Sequence, residues 1–229
     1  NEENVQAVKR LKLCTDKKMI WLKGGEGVNL THYPYFNNEA PSITFLFIAR
    51  LIEEKGYRQF VGAAKAIRKK YPDVQFQVVG EYDLTYPKAI SREEVARDVK
   101  NGYIEYMGVT TNMLDFYSRP GYVICIPSYY SEGLNRSLME GCAVGKPIIT
   151  TEHPGCREMV RDGKNGYLVP VQDIAALADA MEKYILLPAT EKNDMSLYSR
   201  QWAEQNFDIK NVIAQYEKVL ADDTHPSFR

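Results

Sequence analysis

The chain has 229 residues, of which 45% are hydrophobic and 26% charged, and its formal net charge at pH 7 is −1. These values are typical of a soluble globular protein. They exclude an overall excess of positive charge that would attract nucleic acid or an anionic membrane. No apolar run reaches the roughly 18 residues of a transmembrane helix, and the first residues are not expected to form a signal peptide. The four cysteines form no CxxC pair, so we expect reduced, mostly buried thiols in a cytoplasmic protein.

Apolar runs alternate with helical patterns along the chain. The runs predict strands at 18–22, 43–49, 74–79, 103–107, 122–126, 147–150 and 167–169. The helical patterns lie at 2–12, 57–71, from 91, 112–118, from 134, 155–160, 173–186, 196–205 and 209–221. This alternation predicts a single α/β domain with a doubly wound, Rossmann-like parallel sheet.

Two cationic side chains follow the apolar run at 43–49. Arg50 and Lys55 are placed by this order at the carboxyl end of a strand, where open α/β sheets bind ligands. An arginine fork and a lysine point charge at that position could together hold a diphosphate. Gly56 is expected to let the loop approach such a ligand closely. The residues alone equally allow surface ion pairs with Glu53 or Glu54.

Two glutamates lie in the segment that follows the strand predicted at 122–126. Glu132 and Glu140 are eight positions apart, which an ideal helix beginning near Leu134 converts to about 12 Å. This exceeds the roughly 5–9.5 Å between the paired carboxyls of glycoside hydrolases. The longer distance suits two carboxylates that hold hydroxyls on either side of an anion bound at the helix start. A nucleotide sugar has this layout, with hydroxyls on both sides of a diphosphate. By spacing alone, two solvated surface carboxylates are the commoner arrangement.

Other catalytic patterns lack support in the sequence. Residues 24–27 contain three glycines but lack the last glycine of GxGxxG, so we expect a turn rather than a dinucleotide loop. There is no D-x-D, HExxH, P-loop or GxSxG pattern, and the three histidines are dispersed. We therefore predict no metal site, and we expect His153 to be structural.

Four motifs in order resemble those of retaining GT-B glycosyltransferases of family 4, in the C-terminal half that binds the nucleotide sugar. They lie at 45–50 with 54–56, at 78–81, at 132–140, and at 145–150 with 155–158 and 162–166. The resemblance covers roughly residues 24–186. It implies a donor site in which Arg50 and Lys55 bind the diphosphate, Glu132 holds sugar hydroxyls and Glu140 holds the ribose diol.

The resemblance implies further contacts through the backbone. Gly133, Leu134 and Asn135 would offer N–H groups to the sugar and the phosphate. Val109, in the loop after the strand at 103–107, would lie near the base. Departure of the diphosphate would be assisted by the cations and the helix start, without a metal or any other cofactor.

The resemblance also implies a larger protein. Residues 1–229 would be a single donor-binding domain, with 1–40 close to the interdomain connection, 190–229 forming C-terminal helices, and the N-terminal acceptor domain absent. We expect such a domain to bind a nucleotide diphosphate sugar, most often a UDP-sugar in this family, and to be inactive alone. The full-length protein would act on a glycan or lipid-linked acceptor and could associate peripherally with the inner face of the membrane. A sugar-nucleotide epimerase and a non-catalytic nucleotide-binding or interaction module remain open alternatives.

Overall fold

The computed structural model describes residues 2–13, 19, 23–131 and 133–221. Within these residues six strands form one sheet with the order β3-β2-β1-β4-β5-β6, and all neighbouring strands are parallel. The strands are β1 (Thr44–Ile48), β2 (Gln75–Val79), β3 (Glu105–Tyr106), β4 (Tyr122–Ile126), β5 (Ile148–Thr151) and β6 (Gly166–Val169). This order confirms the predicted doubly wound, Rossmann-like sheet. The strand predicted at 18–22 lies almost entirely outside the described residues.

Helices connect the strands and cover the sheet. They are α1 (Glu2–Arg10), α2 (Tyr57–Lys70), α3 (Arg92–Lys100), α4 (Leu114–Tyr117), α5 (Arg136–Ala143), α6 (Ile174–Leu186), α7 (Ala189–Asn206) and α8 (Ile209–Ala221), with short 3₁₀ turns at Glu53–Lys55 and Arg157–Met159. The helix predicted at 196–205 begins earlier in the structure, at Ala189 (α7). The helix predicted from 134 begins later, at Arg136 (α5). None of the helices in the described part of the chain is both long and apolar enough to cross a bilayer.

The sheet is buried on both faces. Residues of β1 alternate, so that Phe45 and Phe47 pack with α2 and α6 on one face, whereas Leu46 and Ile48 pack with α5 on the other. The run of apolar residues that predicted β1 therefore reflects two separate cores. The cysteines that the structure describes are buried as predicted: Cys125, Cys142 and Cys156.

One lysine is completely buried at the amino ends of β4 and β5. The Nζ atom of Lys146 donates hydrogen bonds of 2.7 Å to Asn38 Oδ1 and to the Arg119 carbonyl oxygen. The Asn38 amide in turn donates to the Tyr122 carbonyl oxygen at 3.0 Å. Because burial removes water from the ammonium group, it lowers the pKa of Lys146 to about 7. The folded chain therefore holds a proton at this side chain less tightly than the unfolded chain does.

We expect this lysine to make the free energy of unfolding increase with pH. Between pH 7 and about 10 the unfolded chain binds more protons at Lys146 than the folded chain, so stability rises by up to about 1.4 kcal/mol per pH unit. Urea denaturation of the wild type and of Lys146→Met at pH 7, 8 and 9 measures the effect. Buried thiols also titrate when the protein unfolds. The effect of Lys146 is therefore measured by the difference in free energy of unfolding between the wild type and Lys146→Met at each pH. A difference that stays constant across this range would contradict the prediction.

Candidate functional site

A crevice opens where the two halves of the sheet meet. Strands β1 and β4 are neighbours, but β1 leads to α2 on one face and β4 leads to α5 on the other. Ligands of doubly wound folds bind at this switch point, outside the carboxyl ends of the strands. The loops that follow β1 and β4 meet there, since the Tyr129 N–H donates to the Glu54 carbonyl oxygen at 2.8 Å. The structure therefore places Arg50 and Lys55 at the strand end that the sequence predicted.

Arg50 and Lys55 converge on one aromatic ring. The guanidinium carbon of Arg50 lies 5.6 Å from the centre of the Tyr130 ring, and the Nζ atom of Lys55 lies 4.7 Å from it. Lys55 is only 7% exposed, whereas the Arg50 side chain is 44% exposed and forms an ion pair with Asp83 at 2.8 Å. Hydrogen bonding to Tyr130 is the largest influence that raises the pKa of Arg50. Two cations thus share one side of the crevice.

Sequence reasoning missed both neighbours of these cations. It considered Glu53 and Glu54 as ion partners for Arg50, but the acid that pairs with it is Asp83, from the loop after β2. Tyr130 comes from the loop after β4. Both contacts join segments that are distant in sequence, and no pattern of spacing marks them.

Gly56 is required by the packing of the two loops at the switch point. Its φ of 86° is in the left-handed region, and a Cβ atom at this position would lie 2.3 Å from the Pro127 carbonyl oxygen. The glycine is therefore required by close packing of the loop after β1 on the loop after β4. The expectation that Gly56 also allows close approach of a ligand stays a prediction.

The start of α5 also differs from the prediction. The helix begins at Arg136 rather than near Leu134, because Asn135 is extended and its Oδ1 atom accepts a hydrogen bond of 3.1 Å from the Leu138 N–H. Glu132 lies outside the described residues, and so does its predicted separation from Glu140. The first helical N–H groups still lack intrahelical partners and form the positive end of the helix dipole.

The backbone of Asn135 is engaged within the protein. Its N–H group donates to the Gly155 carbonyl oxygen at 2.8 Å, which corrects the expectation that this group is offered to a ligand. Space is open at Gly133, where an added Cβ atom would meet no atom within 4 Å. The side chain of Leu134 packs against Gly25 in the turn at 24–27, and the predicted role of its backbone N–H stays a prediction. Asn135 therefore organises the helix start, and Gly133 lies at an open position before it.

Val109 lies in the loop after β3. It is 64% exposed, as a residue near a ligand could be before binding. No contact in the structure assigns it a role, so its predicted position near the base stays a prediction.

Glu140 lies one turn into α5 and is almost completely buried. The residue is 6% exposed, and its Oε1 atom accepts a hydrogen bond of 2.9 Å from Arg136 Nε, while Tyr117 donates to its Oε2 atom at 3.4 Å. A pocket of about 460 Å³ opens beside this carboxylate, between α5 and residues 26–33. Tyr33 lines the same pocket, and burial followed by the charge of Glu140 raises its pKa to about 12.

The site therefore combines groups for an anion with groups for hydroxyls. Two cations and the amino end of α5 lie at the switch point, and a buried carboxylate lies farther along the same helix. Among the residues that the structure describes, no three His, Cys, Asp or Glu side chains are grouped as metal ligands. The arrangement is chemically suited to a phosphorylated ligand that also carries hydroxyls.

Comparison with known protein families gives the class of the protein. The family described as glycosyl transferases group 1 matches residues 36–202, a range that includes both loops at the switch point. The chain belongs to the glycosyl transferases group 1. Membership confirms the predicted resemblance to glycosyltransferases at the level of the family.

Individual members of glycosyl transferases group 1 are distant relatives and longer proteins. WcaL of Salmonella typhimurium, which carries the name of a colanic acid biosynthesis glycosyltransferase, is 24% identical over 203 residues, or 85% of this chain and 49% of WcaL. The phosphatidyl-myo-inositol mannosyltransferase of Mycobacterium leprae is 32% identical over 143 residues, or 60% of this chain and 36% of that enzyme. The chain thus spans half or less of the length of these curated relatives.

A solved structure supports the fold of this glycosyl transferases group 1 chain. The pneumococcal O-GlcNAc transferase GtfA, crystallised in complex with UDP and GlcNAc, is similar with a TM-score of 0.72 and 24% identity. The similarity covers 98% of this chain and 44% of GtfA. It agrees with the predicted GT-B type of α/β architecture.

Proposed function

We propose that this chain is the donor-binding domain of a retaining glycosyltransferase of family 4. The full-length protein transfers a sugar from a nucleotide diphosphate sugar, most often a UDP-sugar, to a glycan or lipid-linked acceptor. The observation that carries this proposal is the convergence of Arg50 and Lys55 on Tyr130 at the switch point of the sheet. Membership of glycosyl transferases group 1 and the UDP held by the related GtfA support it.

The mechanism follows from where negative charge develops. Breaking the bond between the sugar and the diphosphate leaves charge on the departing oxygen, and preorganised cations and dipoles stabilise that charge. Arg50 and Lys55 supply the cations, and the amino end of α5 supplies aligned N–H groups. In this proposal Glu132 holds hydroxyls of the sugar and Glu140 holds the ribose. The sequence offers no evident nucleophile, which favours substitution on the same face of the sugar through an oxocarbenium-like state.

The backbone contacts in this proposal are fewer than the sequence implied. The Asn135 N–H is bonded to Gly155, so the N–H groups at the start of α5 are the donors expected to face the diphosphate. Gly133 remains a proposed contact with the sugar, since the space beside its α-carbon is open. Leu134 and Val109 keep their proposed positions near the donor. The acceptor would be bound by the part of the protein that this chain lacks.

Nucleotide titration tests the proposal directly. Isothermal titration calorimetry of this chain with UDP, UMP, GDP and ADP is expected to show binding at one site, with UDP at least about fivefold tighter than UMP, because UMP lacks the phosphate that the second cation would bind. UDP-sugars added to the same panel then identify the preferred donor. The absence of binding by all the nucleoside diphosphates would contradict the proposal, and equal binding of UDP and UMP would contradict the diphosphate clamp.

A further inference from the structure

The carboxylate of Glu140 is held on two sides by donors. Arg136 Nε donates to one oxygen at 2.9 Å, and the Tyr117 hydroxyl shares its proton between the other oxygen at 3.4 Å and the Ser137 carbonyl oxygen at 3.2 Å. Arg136 lies one helical turn before Glu140, so this pair is fixed by the geometry of α5 itself. Arg136 also lies 3.5 Å from a carboxylate oxygen of Glu26, in the turn at 24–27. The guanidinium therefore connects the wall of the pocket to the carboxylate inside it.

These donors use only part of the capacity of the carboxylate. Each of its two oxygens has two lone pairs, about four acceptor sites in all. Arg136 occupies one site on Oε1 and Tyr117 contacts Oε2, which fixes the plane of the group, and a hydrogen bond to Glu140 also contributes to the raised pKa of Tyr33. The acceptor capacity that remains can serve the hydroxyls of a ribose, and the carboxylate is oriented for them in advance.

Two tyrosines beside the Glu140 carboxylate stay protonated and can act as donors. Burial, followed by the charge of Glu140, raises the pKa of both Tyr33 and Tyr117. Both phenols therefore remain protonated at neutral pH and can donate hydrogen bonds. Neither phenol carries charge, so Arg136 is the cation that compensates the buried carboxylate through a direct hydrogen bond. Because the Arg136 side chain is 72% exposed and that of Glu140 only 9%, the contact contributes more to orientation than to stability.

We infer that Arg136 is a positioning residue for donor recognition: it holds the Glu140 carboxylate in the orientation that binds the two hydroxyls of a nucleotide ribose. The inference rests on the proposed function, since it requires a nucleotide in the crevice. It predicts a specific defect. Loss of Arg136 should reduce discrimination between a ribonucleotide and its 2′-deoxy analogue, whereas loss of a cation that contacts phosphate should weaken both nucleotides equally.

Calorimetric titration with UDP and 2′-deoxy-UDP tests this inference. The wild type is expected to bind UDP about tenfold more tightly than 2′-deoxy-UDP, the effect of one hydrogen bond to a charged group. In Arg136→Met this ratio is expected to fall below about threefold through loss of UDP affinity, with 2′-deoxy-UDP affinity nearly unchanged. Arg136→Lys keeps the charge without the planar Nε donor, and it should also lose the ratio.

A remote ion pair provides the matched control. Lys70→Met removes an exposed salt bridge of 2.9 Å to Glu182 and should leave the affinity ratio of the wild type intact. Thermal unfolding of each variant checks that it is folded. If Arg136→Met and Arg136→Lys keep the wild-type ratio, or if both nucleotides weaken equally, the inference is overturned while the proposed function stands. If the wild type binds neither nucleotide, the proposed function and the inference fail together.

Discussion

Lys55→Ala and Arg50→Ala are each expected to weaken UDP binding by about tenfold or more, with the larger loss for Lys55. Hydrogen bonds to charged groups contribute about 1.5–3 kcal/mol each, and 1.4 kcal/mol corresponds to a factor of ten in affinity. Lys55 is 7% exposed, so solvent screens its interaction with a phosphate only weakly. Arg50 is exposed over 44% of its side chain, so solvent screens its interaction more strongly and places its contribution at the lower end of the range. Calorimetric titration with UDP measures both losses.

A second lysine of the chain serves as the control for this experiment. Lys65 on α2 also lies over a tyrosine ring, with its Nζ atom 4.5 Å from the centre of Tyr103, but it is exposed, and Tyr103 precedes β3 rather than following a strand. Lys65→Ala therefore removes a similar cation–aromatic contact without removing a proposed phosphate ligand. We expect wild-type affinity for this variant. Unchanged UDP affinity in both Arg50→Ala and Lys55→Ala would remove the diphosphate clamp from the mechanism.

The buried strands were predictable from the sequence because their environment is simple. A parallel strand covered on both faces needs an unbroken apolar run, and β4 has the bounds that its run predicted, Tyr122–Ile126. The beginning of α7 was not predictable in the same way, since its first residues are polar. Its packing depends on Ser196 and Ser199, whose hydroxyls donate to the carbonyl oxygens of Gly145 and Lys146. These contacts join distant segments and leave no periodic signal.

The residues of the candidate site that directly follow a strand could be predicted from the sequence. Arg50 and Lys55 follow β1 directly, so locating the strand located the cations as well. The partners of these residues could not be predicted, because Tyr130 and Asp83 reach them from other loops. The spacing of Arg136 and Glu140 was a usable signal that the sequence analysis did not draw on, since residues four apart on a helix are neighbours.

Gly56 allows the loop after β1 to pack closely on the loop after β4, and these loops form the two sides of the site. The residue lies between Lys55 and α2, and its α-carbon faces the Pro127 carbonyl group at the end of β4. The same contact region includes the hydrogen bond from the Tyr129 N–H to the Glu54 carbonyl oxygen. A side chain at this position would separate the loop that carries the cations from the loop that leads into α5.

We therefore expect Gly56→Ala to reduce both stability and UDP affinity. An alanine in the left-handed region costs about 1–2 kcal/mol, and its Cβ atom, 2.3 Å from the Pro127 oxygen, must also displace backbone. Gly102→Ala is the matched control, because Gly102 has a φ of 69° but no atom within 4 Å of the added Cβ. Urea denaturation should show a larger loss of stability for Gly56→Ala than for Gly102→Ala.

The affinity for UDP shows whether Gly56→Ala disturbs the binding site in addition to lowering the stability of the fold. Gly102→Ala introduces backbone strain away from the loops that follow β1 and β4, so it should bind UDP as the wild type does. Gly56→Ala should bind it about tenfold more weakly, the loss expected when one charge-assisted hydrogen bond is misplaced. Equal stability losses in the two variants would show that the contact with Pro127 is not required. Wild-type affinity in a folded Gly56→Ala protein would show that the clamp tolerates movement between the two loops.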